Sequence, residues 1–181
     1  MNKEMLDTMW DHFRQKYGVY LRVLDAFPAD RLHSHLVSGM RTPAELAVHV
    51  SGSVVRDVAQ GVAKGRITAD ESREAGVARG LDTNERLVSF AAECLDQASA
   101  AVAAIGDKEL TATVTTPWNM TFPGWVGFQL MSDEFLHHRG QLYVYARLCG
   151  VTPPFMWSFG DNAPGYRPRE SAETVAATSA S

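Results

Sequence analysis

The stretch DEFLHHRGQLYVYARLCGVTPP, residues 133–154, decides the fold class of this chain. Large side chains recur in it and just before it at gaps of three and four, which is the period of an amphipathic α-helix. The stripe consists of Phe128, Met131, Phe135, His138, Leu142, Tyr145 and Cys149. Gly150 is a natural helix terminator, and Pro153 and Pro154 prevent the helix from resuming. The pattern predicts a long helix over residues 123–149.

Three further segments carry the same helical period. They are predicted at residues 3–27, 42–65 and 83–105. The second has three coincident start signals: Thr42 and Glu45 form a capping box, and Pro43 occupies the first helical position. The third begins with a similar capping pattern, Asp82-Thr-Asn-Glu85. Four amphipathic helices, without a convincing run of alternating strand residues, indicate an all-α protein.

The segments between the helices complete the fold prediction. Residues 66–81 are polar and long enough for a crossover between helices that are not antiparallel neighbours. Residues 107–123 are rich in threonine and are predicted as a loop with a short extended piece. Residues 165–181 are small and polar, which predicts a disordered tail. We therefore expect a four-helix bundle with a long crossover connection over residues 1–160.

The composition of the 181 residues excludes several classes of protein. A formal net charge of −4 argues against nucleic-acid binding, which requires clustered lysine and arginine. There is no apolar segment typical of a signal peptide and no run of about 18 apolar residues, so we expect no membrane span. Cys94 and Cys149 lie in apolar helical patterns and are expected as free thiols. These features favour a cytoplasmic protein.

One polar residue interrupts the apolar stripe of the last helix. His138 occupies a core-facing position, and Glu134 lies one helical turn before it, where Cβ atoms are roughly 5–6 Å apart. A carboxylate and an imidazole at that spacing can converge on one divalent ion. His49 lies on the inner flank of the second helix, between Leu46 and Val50. Two facing helices of a bundle can therefore bring two histidines and one glutamate together, with positions open for water or substrate.

Simpler interpretations of these residues stay open at this point. A histidine in an apolar stripe is often only hydrogen-bonded, and Glu134 and His138 can form a plain intrahelical ion pair. His137 points about 100° away from His138 and is expected at the surface. Arg139 and Gln141 either support the site or cap a surface. The large aromatic residues Trp125, Trp157 and Phe159 line a pocket or a dimer surface, or simply pack in the fold.

Two motifs resemble those of the DinB-like family, also called the DinB/YfiT-like metalloenzyme superfamily. They are RTPAELAVH, residues 41–49, and the stretch 133–154 quoted above. The resemblance covers about residues 3–155 and implies a four-helix bundle that holds a divalent ion, zinc or nickel, with three side chains. By this resemblance the ligands are His49, Glu134 and His138, with Asp133 as an alternative to Glu134.

The residue at position 134 departs from the usual family pattern, which has a histidine there. A carboxylate oxygen is also an acceptable zinc ligand. The mycothiol-dependent maleylpyruvate isomerase branch of the superfamily is similar to this chain in using a His-Glu-His set.

The resemblance also implies a function. Members of known activity use a low-molecular-weight thiol, so it implies a metal-dependent thiol S-transferase or isomerase that acts on a small electrophile. A metal-dependent hydrolase is one alternative, and a non-enzymatic stress-response bundle with a structural ion is another. The family resemblance further implies a homodimer. The chain has no nucleophilic serine elbow, glycine-rich phosphate loop or Cys-x-x-Cys motif that would favour another class of enzyme.

Overall fold

Four long helices form the frame of the computed structural model, which describes residues 1–68 and 70–169. In chain order the helices are α1 (Lys3–Asp25), α2 (43–64), α3 (Glu74–Arg79), α4 (Asn84–Ala104), α5 (Asp107–Thr111) and α6 (Gly124–Leu148). Short 3-10 turns occur at Ala29–Arg31, Glu71–Arg73, Phe159–Asp161 and Pro164–Tyr166. Each predicted long helix begins and ends within two residues of its predicted bounds. The all-α prediction is confirmed.

The long helices enclose a core that is rich in aromatic side chains. α4 packs between α1 and α2, and α6 contacts both α1 and α2 on the other side. Tyr17 of α1 stacks on Phe135 of α6 with ring centroids 5.6 Å apart. The hydroxyl of Tyr17 donates to the carbonyl of Ala91, so its buried polar atom is satisfied. The apolar stripes predicted from the sequence therefore meet where the four helices face one another.

α2 is one continuous helix with an unusual middle. Pro43–Val48 is α-helical, His49–Arg56 is π-helical, and Asp57–Lys64 is α-helical again. The predicted capping box is confirmed at its start, because Glu45 N–H donates to Thr42 Oγ1 and Thr42 N–H donates to Glu45 Oε2. π-helical turns inside α-helices occur frequently at functional sites. Here the π-helical section begins at His49.

The start of α4 differs by one residue from the predicted capping pattern. Thr83, rather than Asp82, is the N-cap, and its side chain accepts from Arg86 N–H. Asp82 is instead paired with the Arg86 guanidinium at 2.8 Å. Both residues are good N-caps, so the spacing to Glu85 alone did not distinguish them.

The connection at residues 66–81 is a crossover, as predicted, but it is not entirely a surface segment. It contains the short helix α3, which packs against α2. The side chains of Glu74 and Ala78 in α3 are buried, as is Ile67. A buried carboxylate in this connection was not expected from the sequence.

Residues 107–123 form α5 and a small hairpin. Strand β1 (Thr113–Thr115) pairs antiparallel with β2 (Thr121–Pro123), with Val114 opposite Phe122. These two side chains are buried and the residues beside them are exposed. The expected short extended piece is therefore a two-stranded hairpin that packs one face on the bundle.

The chain after α6 returns to α1. Asn162 Nδ2 donates to the Gln15 carbonyl at 2.9 Å, and Tyr166 lies against Gly18, where a Cβ atom would come within 2.5 Å of it. The first residues of the predicted tail, 165–169, thus belong to a segment in contact with the bundle. The remainder of the predicted tail, residues 170–181, lies outside the described residues.

One helix bears on the expectation of no membrane span. Among the described helices, α4 (Asn84–Ala104) is long and apolar enough to cross a membrane by length and composition alone. It packs between α1 and α2, and 33% of its most apolar window is buried inside the fold. A core helix of a bundle has the same composition, so this feature by itself does not indicate a membrane span.

Candidate metal centre

The fold brings together two histidines that are far apart in the sequence. The rings of His49 on α2 and His138 on α6 have centroids 5.0 Å apart and are nearly perpendicular. Each residue is only 8% exposed. Buried imidazoles need polar partners, and both have them. The core-facing position predicted for His138 is confirmed, and the sequence placed His49 on the correct flank of its helix.

The outer partner of His49 is Glu74 of α3. His49 Nδ1 lies 2.8 Å from Glu74 Oε1, and Ser53 Oγ donates to the same oxygen at 2.6 Å. Arg41 lies 3.5 Å from the other carboxylate oxygen. Burial acts to raise the pKa of Glu74, but the hydrogen bonds from His49 and Ser53 outweigh it and lower the pKa. An ionised Glu74 therefore accepts the Nδ1 proton of His49, and in the neutral imidazole the lone pair is then on Nε2.

Glu74 is the functional residue that the sequence analysis missed. It lies in the polar run of the crossover, where charged residues are normally solvated. The available signal was weak: Ala78 follows one helical turn later, so these two residues share the face of α3 that is buried.

The outer partner of His138 is Gln141, one turn further along α6. His138 Nδ1 lies 2.8 Å from Gln141 Oε1, so Nδ1 donates and Nε2 carries the lone pair. Gln141 Nε2 in turn donates to His137 Nε2 at 3.2 Å. The ring of His137 is exposed, as predicted. Burial lowers the pKa of His138, and the hydrogen bond with Gln141 and the charge of Glu134, which act to raise it, offset this only in part. The imidazole is therefore neutral near pH 7.

The contact between Glu134 and His138 fits two acceptor atoms that share a proton or a metal ion. Glu134 Oε2 lies 3.2 Å from His138 Nε2, and the Glu134 side chain is 58% exposed. In the neutral tautomer whose Nδ1 donates to Gln141, both atoms of this contact are acceptors. Two acceptors at this distance repel each other unless a proton or a metal ion lies between them. Two ligand atoms on one tetrahedral zinc ion lie about 3.3 Å apart, so the separation also fits a shared ion.

Each of the three predicted ligands lies near another of the three. His138 contacts both His49 and Glu134, and His49 and Glu134 line the same pocket. Within residues 1–68 and 70–169, no three His, Cys, Asp or Glu side chains stand as a group that could hold a metal ion. The donor types and their free atoms fit a divalent ion. Among the described residues, His49, Glu134 and His138 therefore do not form a closed set of ligands in this structure.

The other sequence candidates lie around this centre. Gln141 supports it by orienting His138. Arg139 lies instead over the ring of Phe135, 5.8 Å from its centroid. Asp133, the alternative to Glu134, is exposed.

A pocket of about 400 Å³ opens beside His49 and Glu134. Its polar end also includes Ser53, and the rest of its lining is apolar. The hairpin contributes Trp118 and Met120, which the sequence analysis did not single out. Trp125, Trp157 and Phe159, which it did single out, do not line this pocket.

The comparisons with known proteins identify the class of this helical bundle. A model of the DinB family matches residues 1–164, and the chain belongs to the DinB family. No curated protein sequence matches the chain.

Solved structures share the fold at low sequence identity. A DinB-like protein of Bacillus subtilis, YjoA, superposes with a TM-score of 0.66 at 18% identity, covering 90% of this chain and 99% of that one. The mycothiol-dependent maleylpyruvate isomerase superposes with a TM-score of 0.56 at 15% identity, covering 92% of this chain and 66% of that one. A mutant of the same isomerase gives the same TM-score at 13% identity.

Proposed function

We propose that this DinB protein binds a divalent ion, zinc or nickel, through His49, Glu134 and His138. The observation that carries the proposal is the contact between His138 Nε2 and Glu134 Oε2 at 3.2 Å, which brings two acceptors together when His138 Nδ1 donates to Gln141. The second imidazole, His49, lies alongside with its Nδ1 already bound to Glu74. With both Nδ1 atoms donating to these outer partners, both histidines offer Nε2 as the ring nitrogen with a lone pair that a metal can bind.

We further propose that the protein is a thiol S-transferase or isomerase that uses a low-molecular-weight thiol on a small electrophile. Membership of the DinB family and the shared fold with a mycothiol-dependent isomerase support this assignment. When bound, the ion would supply Lewis acidity that lowers the pKa of a thiol and favours the thiolate.

The side chains of this protein would prepare the site for that chemistry. Glu74 and Gln141 each hold one Nδ1 proton, which fixes the tautomer and the orientation of the two rings. Burial lowers the pKa of His138 and so keeps its imidazole in the neutral form that can ligate. The apolar pocket lowers the local dielectric constant beside the ligands, which strengthens electrostatic interactions there.

A metal-dependent hydrolase would use the same donor set with water in place of the thiol. A stress-response bundle with a structural ion would need a fourth protein ligand. The pocket beside His49 favours an enzyme over a purely structural site, because it gives a small molecule access to the ligands. We also propose that the protein acts in the cytoplasm as a homodimer.

The test begins with protein purified without a histidine tag. We expect elemental analysis to find one zinc or nickel ion per chain. The loaded protein should then accelerate the reaction of 1-chloro-2,4-dinitrobenzene with at least one of mycothiol, bacillithiol and glutathione. Protein that contains no ion and takes up none would refute the metal site. Loaded protein that is inactive with all three thiols but hydrolyses ester substrates would favour the hydrolase.

A further inference from the structure

The pocket beside the candidate metal centre indicates the kind of substrate. We infer that the substrate is a small, uncharged, apolar molecule, which lies between α2, α6 and the hairpin with its reactive end at His49 and Glu134. The inference rests on the proposed function, because it treats these residues as the reacting end of the pocket.

The pocket is polar at one end and apolar at the other. α2 and α6 run antiparallel along it, so His49 and Ser53 lie near Glu134, whereas Val58 lies against Gly127 at the far end. The volume of about 400 Å³ is that of a small-molecule site. An elongated ligand can therefore place its apolar body against Val58 and its reactive group at His49.

The charges of the lining disfavour an anionic substrate. Among the described residues that line the pocket there is no lysine or arginine, and its one carboxylate is Glu134. A carboxylate or phosphate group in the apolar part would lose its hydration without gaining a cation. At the other end, only a bound metal ion would offset the like charge of Glu134, so the part of the ligand that fills the apolar region is uncharged.

The hairpin forms the outer wall of the pocket, and at Thr115, where β1 ends, it is hydrogen-bonded to the chain that follows α2. Ile67 N–H donates to the Thr115 carbonyl at 2.8 Å, and Thr115 N–H donates to the Gly65 carbonyl at 3.1 Å. Trp118 and Met120 extend beyond this anchor and are 50% and 56% exposed, although both line the pocket. A ligand that covers these side chains removes apolar surface from water, which favours binding.

The first test compares two ligands of nearly the same shape that differ in charge. Isothermal titration calorimetry is carried out at pH 7 on metal-free protein with 1-naphthylmethanol and with 1-naphthoate, so that no ion can bind the carboxylate. We expect 1-naphthylmethanol to bind at least about tenfold more tightly, a difference of about 1.4 kcal/mol. Equal or tighter binding of 1-naphthoate, or no binding of either compound, would overturn the inference.

The second test locates the bound molecule with matched substitutions. Trp118→Ala and Met120→Lys change the pocket wall at exposed positions, so both variants should fold. Their controls are Trp157→Ala and Met5→Lys, because Trp157 is 56% and Met5 54% exposed and neither lines the pocket. We expect the affinity for 1-naphthylmethanol to fall several-fold in the first pair only. Equal effects in both pairs would place the ligand elsewhere and refute the inference.

A third variant separates this inference from the proposed function. His138 does not line the pocket but contacts His49 and Glu134, which do, so His138→Ala should lose the metal and keep the preference for 1-naphthylmethanol over 1-naphthoate. If the protein binds no ion but passes both ligand tests, the proposed function fails and the pocket assignment stands. If it binds an ion but Trp118→Ala and Met120→Lys bind the ligand normally, the pocket assignment alone fails.

Discussion

Glu74 Oε1 lies 2.8 Å from His49 Nδ1, and this contact joins the crossover helix α3 to the helix that carries the first candidate ligand. The side chains of both residues are about nine-tenths buried. A carboxylate that orients a metal-binding histidine is a common arrangement around metal sites. The crossover therefore serves the site as well as connecting two helices.

We expect Glu74→Gln to weaken metal binding by about tenfold or more, because the loss of the carboxylate reduces the basicity and the fixed orientation of His49. The measurement is a competition titration with a chromophoric chelator. Glu93→Gln is the matched control, since Glu93 is exposed on α4 and far along the chain from the site. Equal metal affinities for the two variants would show that Glu74 does not orient His49.

The identity of the ligands can be tested by single substitutions on α2 and α6. We expect His49→Ala and His138→Ala to lose most of the bound metal, because each removes one of the imidazoles that face each other at 5.0 Å. Glu134→Gln should weaken binding less, since its side chain is largely exposed. His137→Ala is the control and should keep the metal. If His137→Ala loses the metal and His138→Ala retains it, the assignment of ligands on α6 is wrong.

The two free cysteines should react at different rates with a thiol reagent. Burial raises the pKa of Cys94 to about 11, an effect that the neighbouring Arg56 only partly offsets. Cys149 is half-buried, and burial raises its pKa as well. At pH 8 we expect 5,5′-dithiobis(2-nitrobenzoate) to modify Cys149 first, and Cys94 only after unfolding. A fast-reacting thiol in the Cys149→Ser variant would contradict this.

The raised pKa of Cys94 also affects stability at high pH. The unfolded chain releases this proton at a lower pH than the folded protein does, so the folded state binds more protons in between. The free energy of unfolding should therefore fall as the pH rises from about 9 toward 11. Urea titrations of the unmodified protein and of Cys94→Ala across this range should show a smaller decrease for the variant.

The homodimer can be tested by sedimentation velocity. Phe155 and Trp157 are 70% and 56% exposed after the last helix, and exposed apolar groups of this size are typical of interaction surfaces. We expect a dimer at micromolar protein and a shift toward monomer in the Trp157→Glu variant. Sedimentation of the unmodified protein at the monomer mass alone would refute the dimer.

The sequence predicted the four long helices well because each of them depends on a repeating pattern of apolar residues. Each long helix has a stripe with the helical period, and Thr42, Glu45 and Gly150 mark boundaries by local hydrogen bonding and conformation. Gly150, for example, has a φ of +78°, which favours glycine. The pairing of Glu134 with His138 also followed from local spacing, since residues four apart share a helix face.

The missed residues depend on contacts between distant parts of the chain. Glu74 contacts His49, which is 25 residues away, and no periodic pattern in the crossover indicates that α3 folds back. Trp118 belongs to a hairpin with only three residues in each strand, which is too short for a clear alternation. The pocket exists only after the hairpin packs on α2 and α6, so its lining could not be inferred from either helix alone.

The π-helical section of α2 changes how far the first half of that helix is rotated about the helix axis relative to the second half. Deleting one residue within His49–Arg56 would allow ordinary α-helical bonding throughout. It would also rotate everything before the deletion by about 100° relative to the half that contacts the hairpin. His49 would then face away from His138, although α2 would remain a well-formed helix. The buried side chains before the deletion, such as Leu46, would turn with it. The extra residue is in effect an insertion that lets one imidazole and the first half of the helix face the core together, so the orientation of the ligand and the packing of that half are expected to change only together during evolution.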